Sequence, residues 1–203
     1  MRKTDYQLSQ MSFQIGDNTV STIARRPRPD DKELKCFQTA LEAIQKKIYA
    51  AHSDGGIDIE TYVYISPGEY SMDCRRLLVH TETIEEDCSP FRPSPARYAW
   101  YGAAVIDVES GAVIYHDDLY YRGNVDQYAE MKHNAMLDHN GCRLLEYSSK
   151  LTIRSIPECR DVRILAEGEF LYADFLDDDR YVVCVDTSKR FRVIDTVTAK
   201  VVI

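Results

Sequence analysis

The chain has 203 residues, with 25 Lys and Arg against 33 Asp and Glu, for a net charge of −8. Apolar residues make up 44% and charged residues 29%, which excludes a collagen-like or wholly disordered chain. The acidic balance argues against a nucleic-acid binder, because phosphate contacts need a positive surface.

The length points to a single domain over 1–203, with the proline-rich stretch 84–96 as the place for an internal boundary. The first ten residues carry no apolar stretch of signal-peptide length. No run approaches the ~18 apolar residues of a membrane span. Six cysteines stand at 36, 74, 88, 142, 159 and 184 without a Cys-x-x-Cys pair. The expectation is a cytoplasmic chain whose cysteines are reduced and mostly act as small buried hydrophobes.

Met11–Ile15 alternates like a strand, and Gly16-Asp-Asn18 can turn it into Thr19–Ile23, a hairpin. Arg25-Arg-Pro-Arg-Pro29 reads as a solvated connector. Leu34, Phe37, Leu41, Ile44 and Ile48 then recur in steps of three and four, which predicts one helix over 34–51. Asp30 and Glu33 have capping-box spacing, and Gly55-Gly56 lets the chain leave the helix.

From Ile57 to Ile65 the period changes to two, which marks a half-buried strand stopped by Ser66-Pro67-Gly68. Arg76–Thr81 is a second strand. Residues 84–96, with acids at 85–87 and three prolines behind them, read as an exposed loop. Residues 97–108, Glu109-Ser110-Gly111 and 112–116 form a strand, turn and strand. Asn124 to Gly141 has cap spacing at both ends and predicts a second helix near 125–138. Strands follow at 142–148, 150–156, 162–166, 169–176, 180–186, 190–195 and 199–203, joined by turns such as Asp177–Asp179 and Thr187–Lys189.

One internal echo stands out. Val105-Ile-Asp-Val-Glu-Ser-Gly-Ala-Val-Ile-Tyr115 reads like Val193-Ile-Asp-Thr-Val-Thr-Ala-Lys-Val-Val-Ile203. Their separation is near twice the ~40–45 residues of a propeller blade. Asp174–Asp186 followed by Arg190–Asp195 resembles one WD40-type blade, without its Trp-Asp dipeptide. The fold class is α+β, a mainly antiparallel sheet of about seven to ten strands with two helices. A small propeller-like fold is the alternative.

Chemical motifs are sparse. His133, His139 and Cys142 have a metal-like spacing, but on a helix the two histidines stand about 240° apart and diverge. Asp174 and Asp177–Asp179 lack the glycine and the twelfth-position glutamate of a calcium loop. There is no Walker loop, no Gly-x-Gly-x-x-Gly and no Gly-x-Ser-x-Gly. No metal and no cofactor are expected. The 14 tyrosines suit both strands and interfaces.

The functional expectation is therefore a non-catalytic protein-binding module. Its sharpest form is an acidic inhibitor, of the immunity-protein kind found in bacterial competition, that captures a basic partner by electrostatic steering. The contact residues expected are Glu85, Glu86, Asp87, Asp117, Asp118, Asp174, Asp177, Asp178, Asp179, Tyr120 and Tyr121. Neither nucleic acid nor membrane is expected as a partner. Two alternatives come from other classes. One is an enzyme using His80, His116, Asp107 or Cys142, marked by a histidine within about 3.2 Å of a carboxylate or thiol. The other is an assembly component that associates through an edge strand at 199–203.

Overall fold

A computed structural model describes residues 11–23, 27–52, 59–90, 96–124, 134–156 and 162–203, with backbone alone at 96 and 118–124. Arg25, Arg26, Gly55, Gly56, His133, Cys159 and the part of the expected second helix over 125–133 lie outside them. The protein is α+β and mainly antiparallel. Among the described residues the strands close into neither a barrel nor a propeller. No described helix is long and apolar enough to cross a membrane, which says nothing of a β-barrel. The residues group into two compact units.

The unit formed by residues 28–70 and 74–133 begins with α1 (Asp31–Cys36) and α2 (Gln38–His52). The capping box is present: Asp30 accepts from the amides of Lys32 and Glu33, and Glu33 accepts from the Asp30 amide. The single expected helix is divided at Phe37, whose φ of −101° and ψ of 13° leave helical geometry. Phe37, Ala40, Ile44 and Ile48 still form one buried stripe. They pack on Leu77, Val79, Ala104 and Ile106 of a four-stranded meander, in the order β3 (Ile59–Tyr70), β4 (Arg76–Asp87), β5 (Ala96–Asp107) and β6 (Val113–Asn124).

Three expectations are corrected in this unit. Ser66-Pro67-Gly68 does not stop β3. Pro67 sits on an edge strand, where its missing N–H is tolerated, and the register shifts between Pro67 and Tyr70. Gly68 permits the close approach, since a Cβ there would lie 2.8 Å from the Leu78 carbonyl oxygen. Residues 84–87 are not loop. They continue β4 and pair with both neighbours, Glu85 with Thr61 and with Tyr98. The 112–116 strand likewise runs on to Asn124.

The other unit holds residues 1–27, 71–73 and 134–203. Here Asn134–Leu137 is strand β7, not helix. Ala135 and Leu137 are buried in period two, and all four residues pair with β8 (Arg143–Tyr147). With β9 (Lys150–Ser155) and β10 (Val162–Glu167) they make a sheet in the order β10-β9-β8-β7. A second sheet holds β11 (Phe170–Phe175), β12 (Tyr181–Asp186) and β13 (Phe191–Asp195). Phe175, Val182, Cys184 and Ile194 face Leu145, Leu151 and Ile153 of the first sheet. The opposite side, with Leu176, Tyr181, Val183 and Val193, is covered by Phe13 and Val20 of the hairpin β1 (Ser12–Ile15) and β2 (Asn18–Ser21). The middle sheet is thus buried on both faces, which explains the unbroken apolar run Tyr181–Cys184. Residues 200–203 hydrogen-bond along β13 and contribute a single bridge, Ile194 to Val201, rather than a full strand.

The reading of the cysteines as mostly buried is also corrected. Cys36, Cys74, Cys88 and Cys142 are exposed, and only Cys184 among the described ones is buried. Burial pushes its thiol up to about 11.

The internal echo is a shared turn. The Asp107 amide donates to Ala112, and the Gly111 amide returns to Asp107. The Asp195 amide donates to Lys200, and the Ala199 amide returns to Asp195. Gly111 and Ala199 both have positive φ, 68° and 56°. The β12–β13 turn is one residue shorter and places Lys189 at φ 61° with its side chain exposed. A lysine pays a left-handed penalty there that glycine does not. Lys189→Gly should therefore raise stability by about 0.5–1 kcal/mol, a gain of about 2 °C in thermal midpoint. An unchanged or lowered midpoint would count against this strain.

Candidate functional site

The inward face of the first sheet ends in polar residues. Arg143 pairs with Ser155, and Arg163 pairs with Ile153. Residues opposite one another in an antiparallel pair share a face, and alternate residues of a strand do too. Arg143, Ser155, Ile153 and Arg163 therefore line one wall at the mouth of the gap between the two sheets. Thr196 and Val197, from the turn after β13, supply the other wall. Val162 and Ile164 flank the opening. The result is an open cleft of about 840 Å³.

Its two guanidinium groups differ. Arg143 is balanced: its Nε donates to Asp138 at 2.9 Å, its Nη2 to the Asp179 carbonyl at 2.6 Å, and the Phe175 ring lies 5.2 Å away. Arg163 donates from Nη1 to the carbonyls of Thr196, at 2.9 Å, and Val197. Its side chain is exposed to solvent, and among the described residues no carboxylate pairs with it. Beside it, the Thr196 side-chain hydroxyl is enclosed by protein and has no hydrogen-bond partner among the described residues, in a residue only 5% exposed. A buried hydroxyl without a partner is costly and calls for an explanation.

The acids expected at an interface are placed differently. Glu85 accepts from or donates to His52 Nδ1 at 2.7 Å, according to the imidazole's tautomer and the carboxyl's protonation, and is nearly buried. Glu86 pairs with Arg97 at 2.6 Å, and Asp87 accepts the Ser89 amide. Asp117 accepts the Tyr115 hydroxyl at 3.1 Å. Asp174 is buried and accepts the Phe175 amide at 2.7 Å. Asp177 accepts the Ser21 amide, which ties the β1–β2 hairpin to its sheet. Asp178 accepts the amides of Arg180 and Tyr181. Asp179 accepts the amide and lies 2.7 Å from the ring nitrogen of His139. Asp118, Tyr120 and Tyr121 stand on β6, and their side chains lie outside the described residues. Apart from those three, each of these residues has at least one internal hydrogen bond or ion pair.

Among the described residues, His52 Nδ1 lies 2.7 Å from Glu85 and His139 Nδ1 lies 2.7 Å from Asp179. His52 also meets Trp100 edge-on, with centroids 4.9 Å apart. The residues singled out for catalysis are others. Asp107 is occupied by Ser110 and Arg76. His80 and His116 lie on β4 and β6 of the same unit, and Cys142 belongs to the other unit.

For a metal, Glu60, Glu86 and Cys88 bring one ligand atom each within 4.8 Å of one another. Arg97 already balances Glu86, and the Tyr62 hydroxyl donates to Glu60 at 2.5 Å. That hydrogen bond, with the Glu60 charge behind it, pushes the Tyr62 phenol up to about 12. The raised value means that the bond supports the fold below pH ~10 and is lost as pH rises through 12. Glu60→Gln should return the phenol toward its ordinary value of 10, read by NMR of ring-labelled tyrosine. A Tyr62 titration unmoved by the substitution would refute this pairing.

Neither a protein-family model nor a curated protein matches the chain.

Sequence reading missed Arg163 and Thr196. Pairing with Ile153 puts Arg163 on the cleft face, but its side chain is exposed and the register shifts between Ile164 and Ala166, so no alternation in the sequence marks it.

Proposed function

We propose that the chain is a non-catalytic protein-binding module that takes up an extended segment of another protein along β10. The observation that carries this reading is the open edge of that strand. β10 ends its sheet among the described residues, and its Val162 and Ile164 side chains are 48% and 47% exposed beside the cleft. Exposed β-branched residues on an unpaired edge are a template for strand addition. The register shift between Ile164 and Ala166 confines the straight edge to its first residues, so side-chain contacts in the cleft must add to main-chain pairing. The net charge of −8 supports long-range steering of a basic partner, the inhibitor form of this reading. Contact itself is assigned to β10, because the oxygens of Glu86, Asp87, Asp174, Asp177 and Asp178 already accept internal bonds.

The test is affinity capture from the native source with the tagged wild-type chain and with Ile164→Lys in parallel. One stoichiometric protein retained by the wild type and lost from the variant is the expected result. Recovery of the chain alone, or equal yield from the variant, contradicts it.

A further inference from the structure

We infer that the sheet face of β3, β4 and β5 opposite α2 docks an arginine side chain of a basic partner, with Glu82 as its carboxylate and Tyr64 and Tyr101 as the flanking rings. This surface belongs to the unit of residues 28–70 and 74–133, whereas β10 belongs to the other unit, so it stands or falls apart from strand addition.

Alternation along the strands divides the sheet. Val63 and Ile65 pack with the α2 stripe, so Tyr62 and Tyr64 point to the opposite face. Their exposures of 40% and 54% show that this part of the face is open. The register sets Tyr64 opposite Glu82, and Glu82 opposite Tyr101, in one row across three strands. Side chains paired in this way stand about 5 Å apart at Cβ. Farther along the same face, Glu60, Glu86 and Arg97 make another row. There the sheet supplies its own cation: Arg97 binds Glu86 at 2.6 Å, and the Tyr62 hydroxyl donates to Glu60. The Glu82 row has no cation, because both of its neighbours are tyrosines. Glu82 has no hydrogen-bond or ion-pair partner among the described residues, yet it is partly buried. Partial burial strips water from a carboxylate without replacing it by a charge, which favours an incoming cation. Arginine fits this row better than lysine. Its planar guanidinium can lie against a tyrosine ring while its forked donors meet the carboxylate. The net charge of −8 draws such a partner in.

The probe is the pentapeptide Gly-Ser-Arg-Ser-Gly, with a twin that carries citrulline, the uncharged isostere, in place of Arg. Each is titrated into the chain with ring-labelled tyrosine and followed by NMR, the Tyr64 signal being the one absent from Tyr64→Leu. The Arg peptide should move that signal and bind the wild type about tenfold more tightly than its twin. The preference should fall to about twofold or less in Glu82→Gln. Glu109→Gln removes the same charge from the exposed β5–β6 turn and should keep the full preference. Tyr64→Leu should weaken the Arg peptide by about two- to fivefold. Glu82→Gln breaks no internal bond, so its thermal midpoint should stay within about 2 °C of wild type, which separates lost binding from lost folding. Equal affinity of the twins for the wild type, or no binding of either, overturns the inference. Equal losses in Glu82→Gln and Glu109→Gln also overturn it, since the peptide then answers only to overall charge. Ile164→Lys should leave the preference intact, and its loss there would move the arginine to β10 and overturn this surface.

Discussion

Asp195→Ala should cost about 2–3 kcal/mol, as a buried carboxylate with charge-assisted bonds is lost at a turn. One carboxylate oxygen accepts the amides of Val197 and Thr198 at 2.8 and 2.9 Å. The other accepts Arg180 Nε and Nη2 at 3.1 and 3.0 Å. The carboxylate is 6% exposed, whereas Arg180 is 56% exposed, so the backbone amides carry more of the cost than the ion pair. The same turn positions Thr196 and Val197, hence one wall of the cleft. Burial pushes the Asp195 carboxyl up, but the Thr198 amide, Arg180 and the Val197 amide outweigh it and hold the group below its ordinary value. A depressed carboxyl contributes stability that is complete above pH ~4 and is lost as pH falls through the folded value. Asp186 behaves alike, held down first by the Arg190 amide and then by the Arg192 and Arg190 side chains. Urea unfolding across pH should therefore show a shallower acid loss in Asp195→Ala, with a residue of it due to Asp186. A variant with wild-type stability at neutral pH, or an unchanged acid slope, would contradict the role of this turn.

Ile164→Lys should weaken partner binding by about tenfold or more. Burying the exposed half of this isoleucine at an interface is worth roughly 0.8–1.5 kcal/mol, which is about fourfold to just over tenfold in affinity. A lysine on the edge adds a charge to be desolvated and is the kind of residue that keeps sheet edges unpaired. The side chain is already half exposed, so folding should change by no more than about 0.5 kcal/mol. A variant that unfolds instead would show that Ile164 belongs to the core, and one that binds as well as wild type would remove β10 from the interface. The readout is the dissociation constant for the captured partner together with the urea midpoint of the same preparation.

Local chemistry was largely legible in the sequence. The Asp30–Glu33 box, the Phe37, Ile44 and Ile48 stripe, and the Val-Ile-Asp turns at Asp107 and Asp195 follow from spacing alone. Pairing was not legible. Asn134–Leu137 carries cap-like neighbours and a helical apolar count, yet hydrogen bonding to β8 makes it a strand. Pro67 looks like a stop until β3 is known to be an edge. The acids have a structural use that residue counts cannot reveal: Asp178, Asp186 and Asp195 accept turn amides, and Asp177 accepts the Ser21 amide of β2. The cleft needs β8, β9, β10 and a distant turn to exist, so no single stretch of sequence announces it. The WD40-like text over Asp174–Asp195 became two hairpin turns of a three-stranded sheet.

The measurement that bears most directly on strand addition is backbone hydrogen exchange along Val162–Glu167, with the captured partner present and absent. An open edge leaves its outward amides exchanging freely in the chain alone, and an added strand slows them. The account predicts protection appearing at β10 on binding, with β12 unchanged because both its edges are already paired. Protection confined to the acidic turns at 85–87 or 177–179, with β10 still exchanging freely, would contradict it.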